Sequence, residues 1–464
     1  MLRSPTPFPP LDAPALTPDA RAARAADGRA LGSALASRGV DSVVVGWVDN
    51  AGLARVKAFP VRQLEKVAAW GVGAAPCFDV FLVDDGMAYG ADVPGPTGDL
   101  RLLPDLERLV ALTAQPGWAW APADRWTQDG TPHPGCQRRF ARRMTEAAAA
   151  QGFTLRAGFE TEWVVATGDT GLRFPTAGPA YGMQRLVDLS DYLRDVMNAL
   201  DTQGLDVLQI HPEYAPGQFE VSVAAADPVG AADAAVLVRH TIRAVSARHG
   251  LRPSFAPVVT PGVVGNGGHL HVSLWRDGTN VMQGGPGPHG LTRDGEAFLA
   301  GVLDALPALL ALGTPSAGSY LRLVPSHWAG AFRCWGRENR EAAVRLVTGS
   351  RGETGHAANA EVKCFDGAAN PYLAVGGVVA AGLDGIARGL TLPAEVTADP
   401  ADTGAERLPA SLMDAATAFD RSALLAAALG PDLHAAVAAV RRAEAALFAT
   451  ATPDEIADAT RWRY

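Results

Sequence analysis

The chain has 464 residues, 48% of them hydrophobic and 19% charged, which is long enough for two or three domains and ordinary for a globular protein with a large core. Its formal net charge is −9, which excludes the basic face of a nucleic-acid binder and the polybasic stripe of a membrane-surface protein. The longest apolar stretch, 372–383, is glycine-rich, stops at Asp384 and reads as a buried helix, not a membrane span. Prolines stand where a signal peptide would place its apolar segment. Cys77, Cys136, Cys334 and Cys364 show no C-x-x-C spacing, so the expectation is a cytoplasmic protein with reduced thiols.

Residues 1–30 are rich in Pro and Ala and read as a flexible arm with a short helix at most. Residues 42–48 and 53–59 read as strands around the turn Asp49-Asn50-Ala51-Gly52, and a helix near 61–70 and short strands up to about 103 complete a small α/β domain over 31–114. The Pro- and Trp-rich stretch 115–133 has no clean period and reads as a linker. From 134 to 464 the chain reads as one large domain. It opens on a helix at 134–151 and closes on helices near 369–389, 411–428 and 432–449, with 397–408 as a polar surface insert.

Within that domain, 155–165 reads as a strand that projects Glu160 and Glu162 from one face. Adjacent like charges on a strand are destabilising unless something neutralises them, so the face is either solvated or the edge of a metal site. Residues 210–221 read as strand, turn and strand, which can bring Glu213 and Glu220 together. In 267–275, His269, His271 and Ser273 alternate with Leu270, Val272 and Leu274; in 360–365, Glu361 and Lys363 share a face. Five glutamates and one histidine on strand faces form a hard oxygen-rich donor set, which suits Mg²⁺ or Mn²⁺ and not a closed Zn²⁺ site. Such ions commonly neutralise phosphates during phosphoryl transfer. The stretch 322–340 adds Arg322, Arg333, Arg337 and Arg340 among Pro, Gly and Trp breaks, a loop suited to gripping anions. No G-x-x-x-x-G-K-[ST] or G-x-G-x-x-G motif is present, so a nucleotide would have to bind in another mode.

The order of these motifs resembles the glutamine synthetase family from about residue 42 onward. They are Glu160-Thr161-Glu162, the Glu213-to-Glu220 segment, His269-Leu270-His271-Val272-Ser273-Leu274-Trp275, the 322–345 stretch, and Glu361 followed by Ala369-Asn370-Pro371-Tyr372. The resemblance implies an α+β protein with an N-terminal β-grasp domain and a large catalytic domain built on an antiparallel sheet with helices. It implies a homo-oligomer of two stacked hexameric rings, ATP, and two or three Mg²⁺ or Mn²⁺ ions per site. Carried over residue by residue, Glu162, Glu213 and Glu220 would hold one metal and Glu160, His269 and Glu361 another. Arg322, with Gly265 nearby, would bind glutamate; Arg340 and Arg345, with Lys363, would meet the phosphates; His271 and Ser273 would line the nucleotide site. The implied reaction phosphorylates the γ-carboxylate of glutamate and lets an amine displace the phosphate.

The family carries a glutamate on its flap three residues after the proline of Arg-Leu-Val-Pro, where it serves ammonium; here that position is Trp328. An indole has one N–H donor and cannot take a proton, and its π face is worth on the order of 1 kcal/mol toward a cation. The expected acceptor is therefore an organic amine, a polyamine such as putrescine or spermidine, or ethanolamine. Three further positions depart from the family: Val264 replaces an asparagine, and Asn359 and Lys363 replace arginines. No counterpart of the family's adenylylation tyrosine occurs over 389–396, so that regulation is not expected. The competing readings are an ordinary ammonia-using glutamine synthetase, a non-catalytic ring protein, against which the complete ligand set speaks, and another phosphotransferase such as a guanidino kinase. Nucleic-acid and membrane partners are not expected.

Overall fold

The computed structural model describes residue 8 and residues 14–90, 93–168 and 172–464. Most of the expected arm upstream of residue 14 lies outside the described residues. From Pro18 the expectation is corrected: Pro18–Ser37 is a 20-residue helix whose start is capped by the Thr17 hydroxyl, with Pro at the first position where its missing N–H costs nothing.

Strands β1 (Ser42–Val48), β2 (Ala54–Pro60), β3 (Val72–Ala74), β4 (Leu100–Pro104), β5 (Val110–Ala111) and β6 (Trp118–Thr127) form the first sheet in the order β2-β1-β6-β4-β3, with β5 on β6. The β1–β6 pair is parallel and its neighbours are antiparallel, with the helix Leu64–Trp70 packed beside it, a grasp arrangement. The supposed linker at 115–133 is corrected too, because β6 is the centre of this sheet. It pairs with β1 through Pro122 and with β4 from Ala123 onward. Pro122, which has no N–H to give, stands where the strand changes partner.

The second sheet takes the strands β7 (Thr154–Thr167), β8 (Val207–Pro212), β9 (Gln218–Val223), β10 (Leu251–Ser254), β11 (Leu270–Arg276), β12 (Thr279–Asn280), β13 (Phe332–Arg337), β14 (Ala342–Val347) and β15 (Asn359–Val362) in the order β13-β14-β15-β11-β7-β9-β8. Its neighbours are antiparallel except β13–β14. Leu155, Ala157, Leu270, Val272 and Leu274 belong to the main core with the helices Gln137–Ala150, Pro228–Arg248, Arg293–Gly313 and Pro371–Arg388. The alternate residues of the same strands point the other way and build the site. The helix Arg293–Gly313 is long and apolar enough to span a membrane, but it is a core helix, mostly buried against its neighbours. The helix expected over 411–428 is two, Leu412–Asp420 and Ala423–Leu429, restarted by the Ser422 cap.

Asn370 explains its own place in the motif. Its side-chain oxygen caps Tyr372 and Leu373 at the start of the helix Pro371–Arg388, while its amide donates to the carbonyls of Val48 and Asp49. One residue thus ends a loop, starts a core helix and ties the first sheet to the second.

Candidate active site

Sheet register brings the expected residues together. Glu162 on β7 stands opposite Glu220 on β9, which stands opposite His211 on β8. On the other flank Arg345 on β14 stands opposite Glu361 on β15, which stands opposite His271 on β11. Residues directly opposite one another share a face, so two rows of titratable side chains run across the sheet. The Glu160 N–H donates to the His269 carbonyl and draws the start of β11 against β7. The turn after β8, with Gly217 at φ +68°, returns the chain so that Glu213 N bonds the Gln218 carbonyl and Glu213 stays with its row.

Two donor clusters result. In the first, His269 Nδ1 lies 2.8 Å from Glu160 Oε2 and 3.1 Å from Glu361 Oε1. In the second, His211 Nδ1 and Nε2 lie 3.4 Å from Glu213 and Glu220. Within each triad the ligand atoms lie within 4.8 Å of one another, and the donors are carboxylate oxygens and imidazole, so both triads fit a hard divalent cation. Burial pushes the Glu213 carboxyl up to about 7, with Glu162 adding repulsion. The bond to Glu220 holds His211 up at about 9 against its burial. Burial opposes ionisation of Glu361, but Lys363 and His269 overcome it and hold the carboxyl well below the usual range.

Cationic side chains face the acidic rows. Arg322 is buried and donates from Nη2 to His269 Nε2 at 3.0 Å and to the Lys363 carbonyl. Lys363 Nζ meets Glu361 Oε1 at 2.9 Å. Arg345 reaches Glu361 Oε2 at 3.0 Å and Glu338 Oε2 at 2.8 Å. Arg340 is exposed on the cavity rim, and Gly265 lines the cavity with its carbonyl bonded to Gln218. His271 lies behind this lining, 3.1 Å from Glu160 and hydrogen-bonded to Asn359. Ser273 is not brought to the cavity: it is buried further along β11 and accepts from Trp275 Nε1. Two aspartates of the 71–85 stretch are already engaged by cationic partners. Asp79 is buried with Arg125 and His133, and Asp85 pairs with Arg55 and Arg463.

The loop 323–331 carries Trp328 over the cavity mouth. Its indole stacks on Tyr214 from the β8–β9 turn, centroids 4.6 Å apart and planes at 23°. Tyr181 continues the wall edge-on to Tyr214, stacks on His211 and donates its hydroxyl to Glu213 at 2.6 Å. Ser326, Trp328 and Gly330 all have positive φ, at 59°, 55° and 65°. For the two non-glycine residues this costs about 1–3 kcal/mol each, so the loop must be held from outside. Sequence reasoning missed His211, Tyr181, Tyr214, Glu338 and Glu341. Only His211 left a signal, two residues before Glu213 at the end of β8.

The whole encloses about 840 Å³, room for more than one small substrate. Residues 134–458 match the glutamine synthetase catalytic domain. The chain belongs to the glutamine synthetase family. It is 56% identical to "Gamma-glutamylpolyamine synthetase GlnA3" of Streptomyces coelicolor, over 94% of this chain and 96% of that one. It resembles the solved "novel glutamine synthase homolog" (TM-score 0.83, 35% identity, 92% of this chain and 99% of that one) and the "GmaS/ADP complex" (TM-score 0.81, 29% identity, 91% and 97%). As a glutamine synthetase family protein it is a ligase, and the family normally uses ATP and divalent metal ions.

Proposed function

We propose that this ligase phosphorylates the γ-carboxylate of L-glutamate with ATP and transfers the γ-glutamyl group to an organic amine, giving a γ-glutamyl amide, ADP and phosphate. The acceptor class is a polyamine such as putrescine or spermidine, with ethanolamine the next candidate. The observation that carries this is Trp328 stacked on Tyr214 at the mouth of an acidic cavity. An aromatic wall packs a hydrocarbon chain, whereas ammonium needs a carboxylate in that place. The relative from Streptomyces coelicolor, named a γ-glutamylpolyamine synthetase, supports the same choice.

In this reading Glu160, His269 and Glu361 hold one Mg²⁺ or Mn²⁺ ion, and Glu162, Glu213 and Glu220, joined by His211, hold another. A divalent cation there supplies charge neutralisation for the phosphoryl groups. Arg322 grips the glutamate carboxylate beside Gly265, with its guanidinium fixed by the Cys364 and Lys363 carbonyls. Arg340, Arg345 and Lys363 meet the phosphates, and His271 orients Glu160. The chain works as a homo-oligomer, a dodecamer of two hexameric rings as the family resemblance implies; twelve copies of a 48.2 kDa chain give about 580 kDa by light scattering.

The test is phosphate release with ATP, Mg²⁺ and glutamate against ammonium, ethanolamine, putrescine, cadaverine, spermidine and methylamine. Turnover with a polyamine and little with ammonium is the expected result. Equal turnover with ammonium would return the chain to ordinary glutamine synthesis, and no glutamate-dependent release would point to another acid substrate or to a non-catalytic role.

A further inference from the structure

Glu341 lies one residue before β14, fixed there by its own N–H bond to Asn339 Oδ1. Its Oε1 accepts the backbone N–H of Trp328 at 2.5 Å. The loop that carries Trp328 is tied a second time where Ser326 Oγ donates to Asp399 Oδ2 at 2.9 Å. Asp399 belongs to the polar insert expected to be a mere surface loop. That insert instead buttresses the site: Leu408 N bonds the Ala331 carbonyl, Arg407 the Leu323 carbonyl, and Asn339 the Val396 and Ala398 carbonyls. The positive φ of Ser326, Trp328 and Gly330 is a shape the loop does not favour by itself. The second oxygen of Glu341, Oε2, is buried and has no hydrogen-bond partner among the described residues. A buried unpartnered oxygen is unfavourable, so the carboxylate is not explained as a generic stabiliser.

We propose that Glu341 is a positioning residue for acceptor selection: by holding the Trp328 backbone it lays the indole on Tyr214, and this placement sets which amine the cavity accepts. What the loop selects rests on the amine-ligase reading above; that the loop is latched does not. The latch springs from the strand that also carries Arg345, so the acceptor side and the phosphate-facing side share one rigid support.

Glu341→Ala and Glu341→Gln, made in the full chain, test this with two readouts. The first is hydrogen exchange of the 324–332 backbone without substrates. Glu341→Ala should speed exchange there by about tenfold or more, and Glu341→Gln should restore it, because the Gln carbonyl accepts the same bond. The second is steady-state kinetics. Glu341→Ala should raise KM for putrescine by about tenfold while KM for ATP stays within about twofold, again with rescue by Gln. Wild-type exchange in Glu341→Ala overturns the latch whatever the substrate is. Faster exchange with unchanged KM for every amine overturns the selection role. Failure of Gln to rescue either readout overturns the tether in favour of a role for the charge. A wild type indifferent between ammonium and putrescine removes the parent reading, and the exchange result still decides the latch separately.

Discussion

At the scale of single residues, Glu361 gathers three partners. Lys363 and His269 Nδ1 share its Oε1 and Arg345 takes its Oε2, with both carboxylate and ammonium almost wholly buried. Removing one partner of a buried ion pair costs about 3–5 kcal/mol, because the others stay behind uncompensated. Glu361→Ala should therefore lower the thermal midpoint by several degrees in metal-free buffer, as well as abolish turnover. A midpoint no lower than that of the exposed control Glu406→Ala would show that Lys363 and Arg345 find other partners. Trp328→Glu carries the complementary prediction. A carboxylate restored to the flap should raise turnover with ammonium, and loss of the aromatic wall should lower kcat/KM for putrescine roughly tenfold, the size of one lost ring contact. Unchanged selectivity would place discrimination elsewhere in the cavity.

At the scale of elements, the helices Arg293–Gly313 and Pro371–Arg388 approach so closely that a Cβ on Gly301 would collide with the Ala381 carbonyl and lie 2.7 Å from the Gly385 Cα. In a helix interior Gly→Ala ordinarily gains about 0.5–1 kcal/mol. Backbone cannot yield as a flexible side chain can, so here overpacking at about 1–3 kcal/mol wins. Gly301→Ala should lower the denaturant midpoint, and a rise would mean that the helices can part without loss. The glycine-rich character of 372–383 was visible in the sequence; its purpose was not, because it depends on a partner helix some 80 residues away. The same logic divides what could be read from what could not. The strand at 267–275 announced itself through period-two alternation, and that at 42–48 through an apolar, valine-rich run closed by turn residues. Glu160, Glu162, His269 and Glu361 stood out because charge on a strand face needs a reason. Strand β6 stayed hidden because Pro122 and the tryptophans erase its period, and Pro122 is tolerated only by a change of partner. His211 alone looks like any structural histidine, and only the register that sets it against Glu220 makes it part of the donor row. Tyr214 and Glu341 act through a loop whose backbone conformation no pattern encodes.

At the scale of the whole molecule, the first sheet is fastened to the second by buried polar groups. Arg441 donates to the Asn50 and Ala311 carbonyls, Asn370 to those of Val48 and Asp49, and Glu444 Oε1 accepts the N–H of Val83. Glu444 is the titrating member. Burial pushes its carboxyl up to about 7, against the pull of Arg441 and of the Val83 N–H. Asp49 beside it is pushed up by burial to about 6 despite Arg55. An acid raised in the folded state binds protons there that the unfolded chain has already lost, so its contribution is complete below pH 4.5 and fades as pH rises through about 7. For Glu444 that contribution is on the order of 3 kcal/mol. Wild-type thermal midpoints should accordingly fall between pH 5 and pH 8. Glu444→Gln, which keeps an acceptor for Val83 and mimics the protonated acid, should match wild type near pH 5 and exceed it near pH 8, leaving the smaller slope of Asp49. Parallel curves for the two proteins would mean that Arg441 keeps the Glu444 carboxylate ionised throughout, and that the joint between the sheets is a paired charge and not a protonated acid.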